Sequence, residues 1–222
     1  RWEEALRVDA KAEGATATIG GWRPVRGGDG AITQEGAAWF FIELNKEVVP
    51  WAYERDDQPF RAIASLEALA ALIAVLTLAP AAGPGLQRGT LMMPLLTDNR
   101  GNSFALSKLM TTKYPLCLVV MELASVLEDK RLSLDTAWAP REWNVEADAI
   151  TNQEFKGFHP DNRILFDIKN YDWKILGNLM EEGRAFYKNA REQRTRARDA
   201  PHGLRDRRRK AKRLTLKERD PW

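Results

Sequence analysis

Leu6-Arg7-Val8-Asp9-Ala10 alternates apolar and polar side chains, the two-residue period of a β-strand, and it carries an aspartate at its fourth position. Burying a charge is costly, so Asp9 either holds a cation or sits at an exposed sheet edge. Lys11 to Gly14 reads as a turn and Ala15 to Ile19 as a second strand ending in Gly20-Gly21-Trp22, so the opening of the chain is a hairpin. A loop at Gly27-Gly28-Asp29-Gly30 leads to a third, aromatic strand, Ala38 to Leu44.

Working outward, Leu66, Leu69, Ile73 and Leu76 follow helical spacing, which predicts a buried helix over Ser65–Leu78 with Ser65 as N-cap and Pro80 as stop. The stretch 79–89 is rich in Pro, Gly and Ala and reads as a loop, after which Leu91 to Thr97 forms a buried strand that delivers Asp98. Helices are expected at about 103–110 and 115–130, a last strand at 133–138, and a short helix at 144–151 carrying Asp148. The order βββ, α, β, αα, β, α implies an α/β fold, a mixed sheet covered by helices.

Four carboxylates fall at telling places: Asp9 inside a strand, Glu67 early in a buried helix, Asp98 at a strand end and Asp148 in a short helix. Neighbouring strands of one sheet bring such positions together, and crowded carboxylates repel one another unless cations neutralise them. Hard oxygen ligands select Mg²⁺ or Mn²⁺, and two such ions about 4 Å apart serve phosphodiester hydrolysis. Taken singly, each acid has an ordinary reading: Asp98 as a helix N-cap, Glu67 and Asp148 as solvated helical carboxylates.

The motifs Val8-Asp9-Ala10 with Gly20-Gly21-Trp22, Ser65-Leu66-Glu67-Ala68, Leu96-Thr97-Asp98-Asn99 and Trp143-Asn144-Val145-Glu146-Ala147-Asp148 together resemble the Asp-Glu-Asp-Asp signature of ribonuclease H. With Pro140, the ending is similar to retroelement versions fused to reverse transcriptases, and Asp172-Trp173-Lys174-Ile175-Leu176 resembles a motif of DIRS-like elements. The resemblance spans about residues 5–151. It implies a ribonuclease H-like fold, a five-stranded mixed sheet flanked by helices, and an endonuclease cutting the RNA strand of RNA/DNA hybrids with two Mg²⁺ or Mn²⁺ ions. It also implies that Asp9 bridges both metals, Asp148 helps hold the ion that activates water, and Glu67 with Asp98 holds the other. A transposase- or integrase-like nuclease on the same fold is a second reading, although those end on glutamate and Asp148 stands last here. An inactive nucleic-acid-binding domain of a polyprotein is a third. Many cellular members carry a histidine before the last aspartate, and none lies between Pro140 and Asp148.

Asn99, Asn102 and Ser103, just after Asp98, are candidate contacts to a bound strand, against their reading as helix caps. Trp22, Trp39, Trp138 and Trp143 read as core or loop packing in preference to base-stacking platforms. Cys117 reads as a core residue and His159 as an ordinary loop residue.

The expected division is a catalytic domain over residues 1–155 and an extension over 156–222 with a basic C-terminal tail, helical or disordered and partner-dependent; an amphipathic helix is drawn over 172–190. From Gly183 onward there are 15 Lys and Arg against 5 Asp and Glu, leaving 19 against 26 in the rest. The body is acidic and the tail basic. Arg207, Arg208, Arg209 and Lys210 are therefore candidate phosphate contacts, with nuclear targeting or a solvated charge run as the other readings of that stretch. A single cysteine excludes a disulfide framework and favours an intracellular setting, cytoplasmic or nuclear. The apolar stretch Ala68–Ala82, carrying Thr77 and meeting Pro80, is too short to cross a bilayer of about 30 Å, so no membrane partner is expected. The start at Arg1 suggests a piece of a longer polypeptide, with a reverse transcriptase upstream.

Overall fold

The computed structural model describes residues 2–80 and 89–177, with scattered positions between 185 and 196. Its main sheet has five strands in the order β5-β2-β1-β6-β7. These are β1 (Leu6–Glu13), β2 (Thr16–Trp22), β5 (Trp39–Leu44), β6 (Leu91–Thr97) and β7 (Leu132–Trp138). Two short strands, β3 (Val25–Arg26) and β4 (Ile32–Thr33), form a separate hairpin around the glycine-rich loop. The helices are α1 (Ile63–Leu78), α2 (Arg100–Lys108), α3 (Leu116–Lys130) and α4 (Val145–Thr151).

β1 pairs antiparallel with β2, and β2 antiparallel with β5, as the alternating opening segments predict. The hairpin turns at Gly14, whose φ of 59° lies in the left-handed region that glycine adopts without strain. β6 runs parallel to both β1 and β7, so each parallel link requires a helical crossover. β1 touches β6 only at Leu6↔Leu95 and Arg7↔Leu96. The pairing ends at Arg7, two residues before Asp9, and β6 itself ends at Thr97, one residue before Asp98.

α1 begins at Ile63 because a 3-10 turn, Pro59–Ala62, feeds directly into it. Ser65 therefore lies buried inside the helix instead of capping it, and Glu67 falls past the first turn. The helical run Pro59–Leu78 has 20 residues and by length and composition alone suffices to cross a membrane, longer than the sequence reading allowed. It is apolar all round because it is the central helix of the core, packed on β1, β2 and α3, with every residue from Ala68 to Val75 buried.

The compact unit runs to Gly183, past the 155 boundary drawn from the sequence pattern. Phe155 and Phe158 pack on Trp22, Trp39 and Phe41, and Ile164 N–H donates to the Trp39 carbonyl at 2.7 Å. Farther on, the buried Glu122 carboxylate of α3 accepts the backbone N–H groups of Lys174 (3.2 Å), Ile175 (2.6 Å) and Leu176 (2.9 Å). Residues 172–175 are not helical; the helix starts at Leu176. This part of the extension packs against the domain; the basic tail beyond residue 196 lies outside the described residues. The remainder, from Arg184, forms a second unit.

Candidate active site

Asp9 lies midway along β1, 4% exposed, and its Oδ2 accepts a hydrogen bond from Thr151 Oγ1 of α4 at 2.8 Å. Its partner across the ladder is Gly20. Cross-strand partners share a face of the sheet, and α4 covers that face. A Cβ on Gly20 would sit 2.4 Å from Ile150 Cγ2. The missing side chain is thus what lets α4, and Asp148 with it, approach Asp9. Asn144, 2% exposed, closes the other end: its Nδ2 donates to the Val8 carbonyl at 2.9 Å, just past the point where β1 loses its pairing with β6.

Asp98 follows β6 directly and is partly buried. The N-cap of α2 is Asn99, whose side chain accepts the Asn102 N–H at 3.2 Å. The capping duty considered for Asp98 falls to its neighbour, and the Asp98 carboxylate is left for other work. It accepts from Arg141 Nε at 3.3 Å, while its own carbonyl accepts the Trp138 indole N–H at 2.9 Å.

Glu67 is held by Asn102, whose Nδ2 donates to Glu67 Oε2 at 2.9 Å and to the Ala64 carbonyl at 2.8 Å. Asn102 is 1% exposed, buried where an exposed strand contact was expected, and its amide acts on Glu67. Ser103 is likewise buried and donates to the Arg100 carbonyl at 2.8 Å, a bond within α2. Asn99 serves as a cap, and it also lowers the Glu67 carboxyl. Arg207, Arg208, Arg209 and Lys210 lie outside the described residues.

The four acids share one electrostatic neighbourhood. Burial first, then the charges of Asp98 and Asp148, push the Asp9 carboxyl up to about 6 against the lowering effect of Thr151. Burial, then Asp98 and Asp9, push Glu67 up to about 8 against the hydrogen bonds from Asn99 and Asn102. Arg141, in the loop that lacks a histidine, is held more firmly in its charged form by Asp98 foremost, then by Asp148 and Asp9. The sequence reading missed this arginine; its position next to Pro140 was the available signal.

The tight cage expected from the sequence is not formed as the side chains stand: among the described residues no three His, Cys, Asp or Glu are spaced to hold a metal ion. Each acid is turned to a donor of its own, Asp9 to Thr151, Glu67 to Asn102, Asp98 to Arg141 and Asp148 to Asn152 Nδ2 at 3.0 Å. Mutual repulsion accounts for this, since uncompensated like charges separate and take whatever local donors exist. The donor set fits hard divalent cations in charge and atom type: oxygen ligands only, two of them with carboxyls raised by burial and by neighbouring negative charge.

Strand order and direction, with three antiparallel strands meeting two parallel ones at β1, define a ribonuclease H-like fold. Among solved structures the chain is similar to the RNase H1 of the halophilic archaeon Halobacterium salinarum, at 17% identity and TM-score 0.43, covering 68% of this chain and 96% of that one. It is similar also to the N-terminal RNase H domain of a Mycobacterium tuberculosis protein, at 15% and 0.42, covering 68% and 91%. A third is an RNase H1 isolated from compost and solved in complex with an RNA/DNA hybrid, at 16% and 0.44, covering 67% and 94%. No protein-family model and no curated protein matches the sequence.

Proposed function

We propose that the chain is a metal-dependent endonuclease that hydrolyses the RNA strand of RNA/DNA hybrids, with Asp9, Glu67, Asp98 and Asp148 as the metal-holding acids. One observation carries the reading: Asp9 and Glu67, from a central strand and the core helix, are both raised by burial and by the charge of Asp98, and Asp9 also by Asp148. A protein with no use for cations gains nothing by gathering several acids, partly buried, within range of one another's charge.

Bound there, Mg²⁺ or Mn²⁺ ions would supply the Lewis acidity that activates a water and neutralises the leaving oxygen. Asp9, whose carboxyl is raised by both Asp98 and Asp148, would be the acid common to the ions, as the motif resemblance implies. Asn102 and Asn99 orient Glu67, Thr151 orients Asp9, and Asn152 orients Asp148 while Lys11 Nζ donates to Asn152 Oδ1 at 2.8 Å. Arg141 supplies a cation beside Asp98 suited to a strand phosphate. Arg207, Arg208, Arg209 and Lys210 would add phosphate contacts without sequence specificity. The setting in a reverse-transcribing element of DIRS-like type, with a reverse transcriptase upstream and an intracellular location, rests on the motif resemblance.

Labelled RNA/DNA hybrid, duplex RNA and duplex DNA incubated with Mg²⁺ test this directly. Scission of the RNA strand of the hybrid alone, lost in Asp98→Asn, supports the proposal. Cutting of duplex DNA supports the transposase-like reading, and hybrid binding without scission supports an inactive binding domain.

A further inference from the structure

Beside the acids lies a groove that the nuclease reading does not use. It is lined by Trp2, Trp138 and Trp143 over a floor of Leu96, Ala137 and Ala139, with a volume of about 400 Å³. The three indoles are 39%, 40% and 65% exposed, whereas Trp22 and Trp39 are buried in the core. Trp22 and Trp39 thus belong to the core, whereas Trp138 and Trp143 stand on the surface.

The Trp138 ring and the Trp143 backbone are anchored. Trp138 Nε1 donates to the Asp98 carbonyl at 2.9 Å, which ties the groove wall to a proposed metal-holding residue. The Trp143 carbonyl accepts from Arg7 Nη1 at 2.5 Å, so the loop carrying the most exposed indole is pinned to β1. The Arg100 guanidinium lies over the Trp138 ring at 4.3 Å from its centroid.

One cation beside the groove is left for an anionic group. Glu3 and Glu4 share Arg26, Glu146 is matched by Arg7 and Asp98 by Arg141. Arg100, stacked on Trp138, has no carboxylate partner among the described residues. An open aromatic face beside a guanidinium whose charge is unmatched is a combination that holds single-stranded nucleic acid, since every base has a π-face and every linkage a phosphate. The size agrees: the groove is on the scale of small-molecule sites, roughly 300 to 1,000 Å³. A stable protein partner would need an interface of about 1,200 Å² or more.

We propose that the groove between Trp2, Trp138 and Trp143 holds an unpaired nucleobase of the strand whose backbone passes the four acids, stacked on Trp143 with an adjoining phosphate on Arg100. The proposal rests on the nuclease reading for the path of the strand, and it narrows the substrate class to hybrids with a single-stranded extension next to the cleaved position. The groove selects for an unpaired base because a base within a duplex has both faces already stacked.

The test uses the full chain and a five-nucleotide single strand with 2-aminopurine at its centre, beside a strand of equal length and charge that is abasic there. Fluorescence anisotropy is expected to show roughly tenfold tighter binding of the base-containing strand, with quenching of 2-aminopurine. Trp143→Ala removes the difference and Trp143→Phe keeps most of it; the exposure of Trp143 makes both variants compatible with folding. Equal binding of the two strands, or a difference that survives in Trp143→Ala, overturns the proposal. So does self-association of the chain that Trp143→Ala abolishes, without any base-dependent binding. A hybrid with a single-stranded extension that stays uncut while base-dependent binding persists would sink the nuclease reading and keep the groove. A blunt hybrid cut normally, with no base-dependent binding, would remove the groove alone.

Discussion

Ile150 of α4 lies directly over Gly20 of β2, so close that a single added methyl would fall 2.4 Å from Ile150 Cγ2. Since Gly20 pairs with Asp9, this contact sets how near the last acid comes to the first. The double glycine before Trp22 thus has a steric purpose: a Cβ on Gly21 would meet the Arg7 carbonyl at 2.9 Å and Phe40 Cε1 at 2.8 Å.

Gly20→Ala is therefore expected to lift α4 and to destabilise the chain by about 1–3 kcal/mol, the usual cost of overpacking. Urea denaturation measures it. An unchanged midpoint would show that α4 is not seated by this contact.

The raised carboxyls fix a pH dependence. In the folded state Asp9 and Glu67 keep protons, up to about 6 and about 8, that the unfolded chain releases near the ordinary values of 3.8 and 4.5. The folded state binds more protons across that window, so metal-free stability falls as pH rises from about 4 to about 8. At roughly 1.4 kcal/mol per pKa unit the combined loss is several kcal/mol. Thermal melts in EDTA should show a lower Tm at pH 8.5 than at pH 5, and added Mg²⁺ should raise Tm more at pH 8.5. A Tm that climbs steadily with pH in EDTA would contradict this.

Asn102→Ala removes the amide that donates to Glu67 and to the Ala64 carbonyl. Leaving buried acceptors unpaired costs about 1–3 kcal/mol, and more when the acceptor is charged. Because Asn102 lowers the Glu67 carboxyl, its loss should also steepen the decline of stability toward alkaline pH. A pH series of denaturation midpoints separates the two effects; a uniform drop at every pH would mean Asn102 acts on packing alone.

Glu122→Ala removes the acceptor of three backbone N–H groups and should release the segment 172–177. Charge-assisted bonds of this kind contribute about 1.5–3 kcal/mol each. Limited trypsin digestion would then cut at Lys174 much faster in the variant than in the parent. Equal rates would show that other contacts hold the segment.

Much of the architecture was legible because strand and helix periods differ. β1, β2 and β5 announced themselves by alternation and aromatic content, and the apolar run of α1 could only be a core helix once strands flanked it. The acids stood out because an aspartate inside a strand, Asp9, and another at a strand end, Asp98, break the local pattern. Side-chain direction was not legible. Asn102 and Ser103 follow Asp98 as a surface polar cluster would, yet the start of α2 at Arg100 turns both inward. Spacing likewise could not tell Trp138 and Trp143, on the surface, from Trp22 and Trp39, in the core. The anchoring of residues 174–176 depends on a buried glutamate far away in sequence, Glu122, and no local pattern announces such a partner.

The central claim is that four separated acids act together on one hydrolytic reaction. Its most direct measurement is RNA-strand scission of a labelled hybrid across a Mg²⁺ titration, run side by side for the parent chain and a correctly folded Asp9→Asn variant. Metal-dependent cutting by the parent that vanishes in the variant is the predicted result. Cutting that persists in Asp9→Asn, or a parent chain that leaves the hybrid intact at every Mg²⁺ concentration, would contradict it.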